Sequence, residues 1–163
     1  MKTILGGGLL LISGYLFKIN LYPSRLTKDE TDTLRVFFDV LIPGDESPPA
    51  SALNVDKILI SEIEQDKTLL LPARKTCKWL NALSNSSFNI KSFKLLDDAN
   101  RQKIAGIASE STEGTVQRFF FDTTLRKALS HYYANPASWS SLRYNGPPQP
   151  NGFPEQSEAP VQL

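Results

Sequence analysis

The chain has 163 residues, with 18 Lys and Arg against 17 Asp and Glu, for a net charge of +1. That length suits one domain with a modest core, and the balanced charge gives no bulk field to gather nucleic acid. One histidine, His131, and one cysteine, Cys77, exclude zinc, haem or iron–sulfur sites built from this chain alone. Cys77 has no partner for an intramolecular disulfide, and its spacing with Ala73 and Leu80 reads as a buried helical thiol.

Residues 1–26 read as a signal or anchor segment and linker. Lys2 and Lys18 bracket an uncharged stretch, Thr3 to Phe17. Those fifteen residues fall short of the roughly 20 that span a bilayer and match a signal-peptide apolar region. No small-x-small cleavage signal follows, so two outcomes stay open: cleavage, or retention as an anchor with membrane contact through residues 3–17. Gly6, Gly7 and Gly8 lie inside this stretch without a following Lys-Ser/Thr, which excludes a phosphate loop.

A helical domain is expected over 27–134. Thr27 and Glu30 form a capping-box pattern, and Leu34, Phe37, Phe38, Leu41 and Ile42 make one helical stripe that Pro43 and Gly44 stop. Residues 43–53 are a proline-rich loop. A second helix is predicted near Asn54, read as its cap, with Val55, Ile58, Leu59 and Ile63 on one face. A third is predicted over Leu70 to Leu83, with Pro72 in its first turn and Asn85-Ser86-Ser87 as the turn that follows. Phe88, Ile90 and Phe93 form an irregular apolar stretch. Asp97 or Asp98 then caps a helix carrying Ile104, Ile107 and Ala108, which a polar break at Ser109 to Gly114 ends.

The last helix, Thr115 to Ala134, reads as apolar on two faces. Val116, Phe119, Phe120 and Thr123 make one, and Phe121, Leu125, Leu129 and Tyr132 the other. With no period-2 run, repeat or heptad array, the fold class is all-α: about five helices in an irregular bundle. Residues 135–163 form an extended proline-rich C-terminal tail, in which Trp139, Tyr144 and Phe153 alternate with Pro147, Pro148 and Pro150. Such a segment loses little entropy on docking, so these six residues are the candidate partner contacts. Packing of the tail over its own domain is the competing reading.

No catalytic, cofactor-binding or metal site is expected. A lone His131 beside Tyr132 and Tyr133 reads as structural, Asp45 and Glu46 as a solvated loop pair, and Asp97-Asp98 as capping.

Two stretches are similar to a known family. Phe37-Phe38-Asp39-Val40-Leu41-Ile42-Pro43 with its acidic, proline-rich loop resembles the opening of the gluconate 2-dehydrogenase subunit 3 family. The closing stretch matches better: Phe119-Phe120, Tyr133-Ala134-Asn135-Pro136, Trp139, Leu142, Tyr144, then Gly146-Pro147-Pro148-Gln149-Pro150 and Gly152-Phe153. The resemblance covers about residues 27 to 154. It implies a non-catalytic small subunit that stabilises, matures or exports a flavoprotein large subunit of the glucose–methanol–choline type. FAD would belong to that partner and haem c to a multihaem cytochrome c, in the periplasm at the inner membrane. The family's twin-arginine signal is absent from Met1 onward. Met1-Lys2 before a glycine-rich apolar stretch looks like the end of that motif, so Arg-Arg is expected upstream. Otherwise export falls to the general secretion route or a partner's signal. A stand-alone cell-envelope binding or scaffold protein is the alternative.

Overall fold

A computed structural model describes residues 24–44 and 47–139. Within them lie five α-helices and no strand: α1 (Lys28–Leu41), α2 (Val55–Gln65), α3 (Lys67–Phe88), α4 (Asp98–Glu110) and α5 (Val116–Ala134). Short 3-10 turns, Ala50–Leu53, Phe93–Leu95 and Pro136–Ser138, join or follow them. The all-α expectation holds.

Helix α1 starts where the sequence placed it. Thr27 Oγ1 accepts from Glu30 N–H and Glu30 returns a carboxylate to Thr27 N–H at 2.8 Å, which satisfies two donors that a helix start leaves open. Its buried side chains are Thr33, Leu34, Phe37 and Phe38. This helix touches all four others, as α3 and α5 also do. Helices α3 and α5 make the most extensive pairing, and α2 and α4 close the two sides. No helix among the described residues is long and apolar enough to cross a membrane.

Helix α2 starts after Asn54 as expected, and three other boundaries differ for local reasons. Asn54 does not cap α2 with its side chain. It adopts φ 58°, ends the preceding 3-10 turn, and accepts a hydrogen bond from Lys57 Nζ at 2.7 Å. Helix α3 begins three residues early, because Asp66 accepts from Thr68 N–H at 2.8 Å, and so Pro72 lies inside the helix rather than in its first turn. That helix also runs through Asn85-Ser86-Ser87. Ser84 and Ser86 hydroxyls donate to the Leu80 and Leu83 carbonyls, and the stop comes at Asn89, where φ is 54°. Similarly, Ser109 and Glu110 belong to α4, so the polar break starts at Ser111.

Helix α5 buries one stripe rather than two faces: Phe120, Thr124, Ala128 and Tyr132, at strict i+4 spacing. Phe121 and Leu129 pack against the core beside it. Phe119 turns outward and is 47% exposed, and Ile58 and Ile107 are also exposed although their sequence stripes pointed inward. Periodicity alone cannot rank three consecutive phenylalanines, and packing can. Phe120→Ala is therefore expected to cost about 3–5 kcal/mol, whereas Phe119→Ala stays within about 0.5 kcal/mol. Urea unfolding of the two variants checks this, and equal losses would contradict the assigned face.

Candidate functional site

The end of α5 leads to Trp139, the first of the candidate partner-contact residues. Asn135 closes the helix, donating its N–H to Tyr132 O at 3.1 Å. Its side chain then accepts from Ala137 N–H at 3.0 Å and starts the 3-10 turn Pro136–Ser138, with Pro136 in the first position that tolerates a missing donor. Ser138 is buried and donates to the Asn135 carbonyl at 2.8 Å. Trp139 folds back, and its indole Nε1–H donates to the Tyr133 carbonyl at 2.8 Å, satisfying one of the acceptors a helix end leaves open. Its ring stays partly exposed.

Two tyrosines anchor this end. The Tyr132 hydroxyl donates to the Pro48 carbonyl at 2.8 Å, tying α5 to the proline-rich loop. Tyr133 meets Tyr132 edge-on at 5.4 Å between centroids and is 48% exposed. The loop itself folds onto the end of α1. Ala50 N–H donates to Ile42 O at 3.2 Å and Ser51 N–H to Asp39 Oδ1 at 2.8 Å. Gly44 is required there, since a Cβ would lie 2.7 Å from Pro49 Cδ. Beside this loop opens a shallow cleft of about 430 Å³, lined in part by Val36, Val40, Pro49 and Arg101. Tyr133 and Trp139 thus present a partly exposed aromatic pair on a braced corner.

Of the six residues expected to contact a partner, the structure places Trp139. Tyr144, Pro147, Pro148, Pro150 and Phe153 lie outside the described residues, as do Asp45, Glu46 and Gly6 to Gly8. Sequence reasoning missed Tyr132 and Tyr133 as part of this corner. The available signals were Tyr132 on an apolar face of the helix and Tyr133 within the closing stretch that resembles the family.

The remaining candidates have structural duties. His131 Nε2 lies 2.8 Å from Glu62 Oε1, while Lys127 Nζ reaches Glu62 Oε2 at 2.9 Å, so the trio clips α5 to α2. Burial alone would raise the Glu62 carboxyl, but the hydrogen bonds and charges of Lys127 and His131 outweigh it and hold the pKa below the usual range. Cys77 is buried, and burial pushes its thiol up to about 12, with the Glu30 and Asp29 charges adding to the rise. A thiol so held is a poor nucleophile and a poor ligand. Asp97 caps α4 through Asn100 N–H at 2.8 Å, and Asp98 pairs with Arg101 at 2.7 Å. Among the described residues no three His, Cys, Asp or Glu side chains gather into a metal-holding group.

Residues 28–146 match the family described as gluconate 2-dehydrogenase subunit 3. The match takes in Trp139 and Tyr144 and ends before Pro147. No curated protein and no solved structure matches the chain.

The Glu62 clip yields a pH dependence. Its carboxyl pKa is lowered in the folded state, so the associated stability is present above the unfolded value and is lost as pH falls through the folded value. At neutral pH the wild type should exceed Glu62→Gln by up to about 1 kcal/mol, and the gap should close as pH falls below the ordinary carboxylate range. Urea midpoints across that range measure it. A gap that widens toward acid would contradict the assignment.

Proposed function

The chain belongs to the gluconate 2-dehydrogenase subunit 3 family, and from that membership we propose that it serves as the non-catalytic small subunit of a flavin-dependent dehydrogenase. The partner is a flavoprotein of the glucose–methanol–choline type that oxidises a sugar or sugar acid, and a multihaem cytochrome c completes the complex. The small subunit stabilises the flavoprotein and accompanies its maturation and export, and the complex works in the periplasm at the inner membrane. The uncharged stretch Thr3 to Phe17 supports that location.

The observation that carries this reading is the family match over residues 28–146. The site chemistry supports the division of labour. A covalently attached haem needs exposed, reactive cysteine, and Cys77 is buried with its thiol near pKa 12. An axial ligand needs a free imidazole, and His131 Nε2 is engaged by Glu62. Haem thus lacks both its cysteine and its axial ligand among the described residues, and electron transfer is assigned to the partners.

The tail supplies the grip. Trp139 leaves the braced corner already oriented by its bond to Tyr133 O, and Tyr144 and Phe153 follow along a proline-stiffened chain. Restricting the free chain reduces the entropy lost when it docks. Replacing Trp139, Tyr144 and Phe153 by alanine should release the flavoprotein, since one aromatic anchor in a partner pocket commonly contributes about 2 kcal/mol or more. Circular dichroism of the isolated variant and co-purification of the flavoprotein separate the outcomes. Loss of helical signal in the isolated variant would place the tail in the subunit's own core. Retention of both fold and partner would move the contact elsewhere.

A further inference from the structure

Helix α3 carries Lys67, Arg74, Lys75 and Lys78 and no acidic residue along its whole length. Its buried side is Leu69, Ala73, Cys77, Leu80 and Ser84. On the opposite side, at i, i+4, i+8 and i+11, stand Lys67, Leu71, Lys75 and Lys78, all exposed. Leu71 is 45% exposed in the middle of this cationic stripe. None of the three lysines joins an ion pair among the described residues. The acids at the adjoining corner are engaged with backbone donors: Glu64 accepts from Leu26 N–H at 3.1 Å, and Asp66 accepts from Thr68 N–H. An amphipathic surface helix ordinarily mixes both signs on its wet face. This one does not.

The chain's entry point adjoins the same face. Arg74 Nη2 donates to the Arg25 carbonyl at 2.5 Å, and Leu26 sits in the core. The described residues therefore begin beside α3, where Arg25 is held by Arg74, the neighbour of Lys75 in that helix. The preceding sequence contains the uncharged stretch Thr3 to Phe17, closed by Lys18.

We propose that the outer face of α3 docks on an anionic lipid surface, with Lys67, Lys75 and Lys78 against phosphate headgroups and Leu71 at the acyl boundary. Charge complementarity, the exposed Leu71 among the lysines and the uncharged apolar stretch in the preceding sequence choose lipid over an acidic protein as the occupant. Segment and face then act as two signals on one membrane, which is what stable anchoring of a weakly apolar segment requires. Each lysine near an anionic surface strengthens binding about five-fold, and the effect fades beyond a Debye length of about 8 Å. The inference goes beyond the subunit assignment and does not depend on which partner is bound.

Flotation of the full chain with phosphatidylcholine vesicles, pure or mixed with phosphatidylglycerol, tests it. The wild type should prefer the mixed vesicles at low salt and lose the preference at high salt. Lys67→Gln/Lys75→Gln/Lys78→Gln should weaken binding to mixed vesicles by about a hundred-fold, with helical circular dichroism retained. Lys57→Gln/Lys91→Gln/Lys103→Gln, an equal charge change on exposed positions elsewhere, should leave it nearly unchanged. The preference should also survive Leu10→Asp/Leu11→Asp, which disables the apolar segment. Equal losses in the two lysine variants would reduce the effect to net charge and overturn the proposal, as would no lipid preference in the wild type. Loss of flavoprotein co-purification in the α3 variant, with lipid preference intact, would reassign the face to a protein and overturn it too. A chain that keeps the lipid preference but binds no flavoprotein would defeat the subunit reading alone.

Discussion

The ring of Phe37 has no solvent exposure and touches aromatic neighbours from three directions. Phe120 of α5 stacks on it at 6.3 Å with 29° between planes, and Phe121 meets it edge-on at 6.3 Å. Phe93, from the 3-10 turn between α3 and α4, closes at 6.3 Å, and Phe38 at 6.1 Å. Such pairs contribute about 0.5–1.5 kcal/mol each beyond area burial. One side chain of α1 thereby sets the depth and rotation of α5. The rotation turns Tyr132 toward Pro48 and leaves Tyr133 outside, so the corner that holds Trp139 depends on packing several turns away.

Polar ties finish what the rings begin. Arg35 pairs with the buried Asp56 at 3.1 Å to hold α1 on α2, and Lys94 reaches Asp29 at 2.6 Å to hold the 3-10 turn on α1. Arg118 donates to the Ser109 carbonyl, bracing the start of α5 on the end of α4. Exposed pairs contribute little each. Their use here is to fix which faces of the helices meet, which the apolar stripes alone leave loose.

Helix α1 was legible in the sequence because its signals agree: the Thr27–Glu30 box, one clean stripe, then Pro-Gly. Asn54 holds the N-cap position expected of it but makes no side-chain cap bond, because it adopts the left-handed conformation that ends the preceding turn. Asn85-Ser86-Ser87 was misread because serines favour turns, yet Ser84 and Ser86 can return their hydroxyls to the helix backbone. In the run Phe119-Phe120-Phe121 sequence offers no means of choosing the inward ring, since the choice is made by Phe37 on another helix. The expectation of no catalytic site was read from two counts, one histidine and one cysteine. Where those two residues sit could only come from the fold. Of the six tail residues, Trp139 has a structural account, and its orientation by Tyr133 O was not visible in the spacing.

These features make one account: a helical body with both reactive side chains committed to structure, and a braced corner at Trp139, after which the sequence is rich in proline and aromatic residues. The most direct test of its central claim is to isolate the tagged chain from the cells that make it and to record flavin absorbance and acceptor-dependent sugar or sugar-acid oxidation. The account predicts a flavoprotein that elutes with the chain and carries both signals, while the chain purified alone carries neither. Flavin or turnover retained by the isolated chain would contradict it, as would a chain that elutes without any flavoprotein.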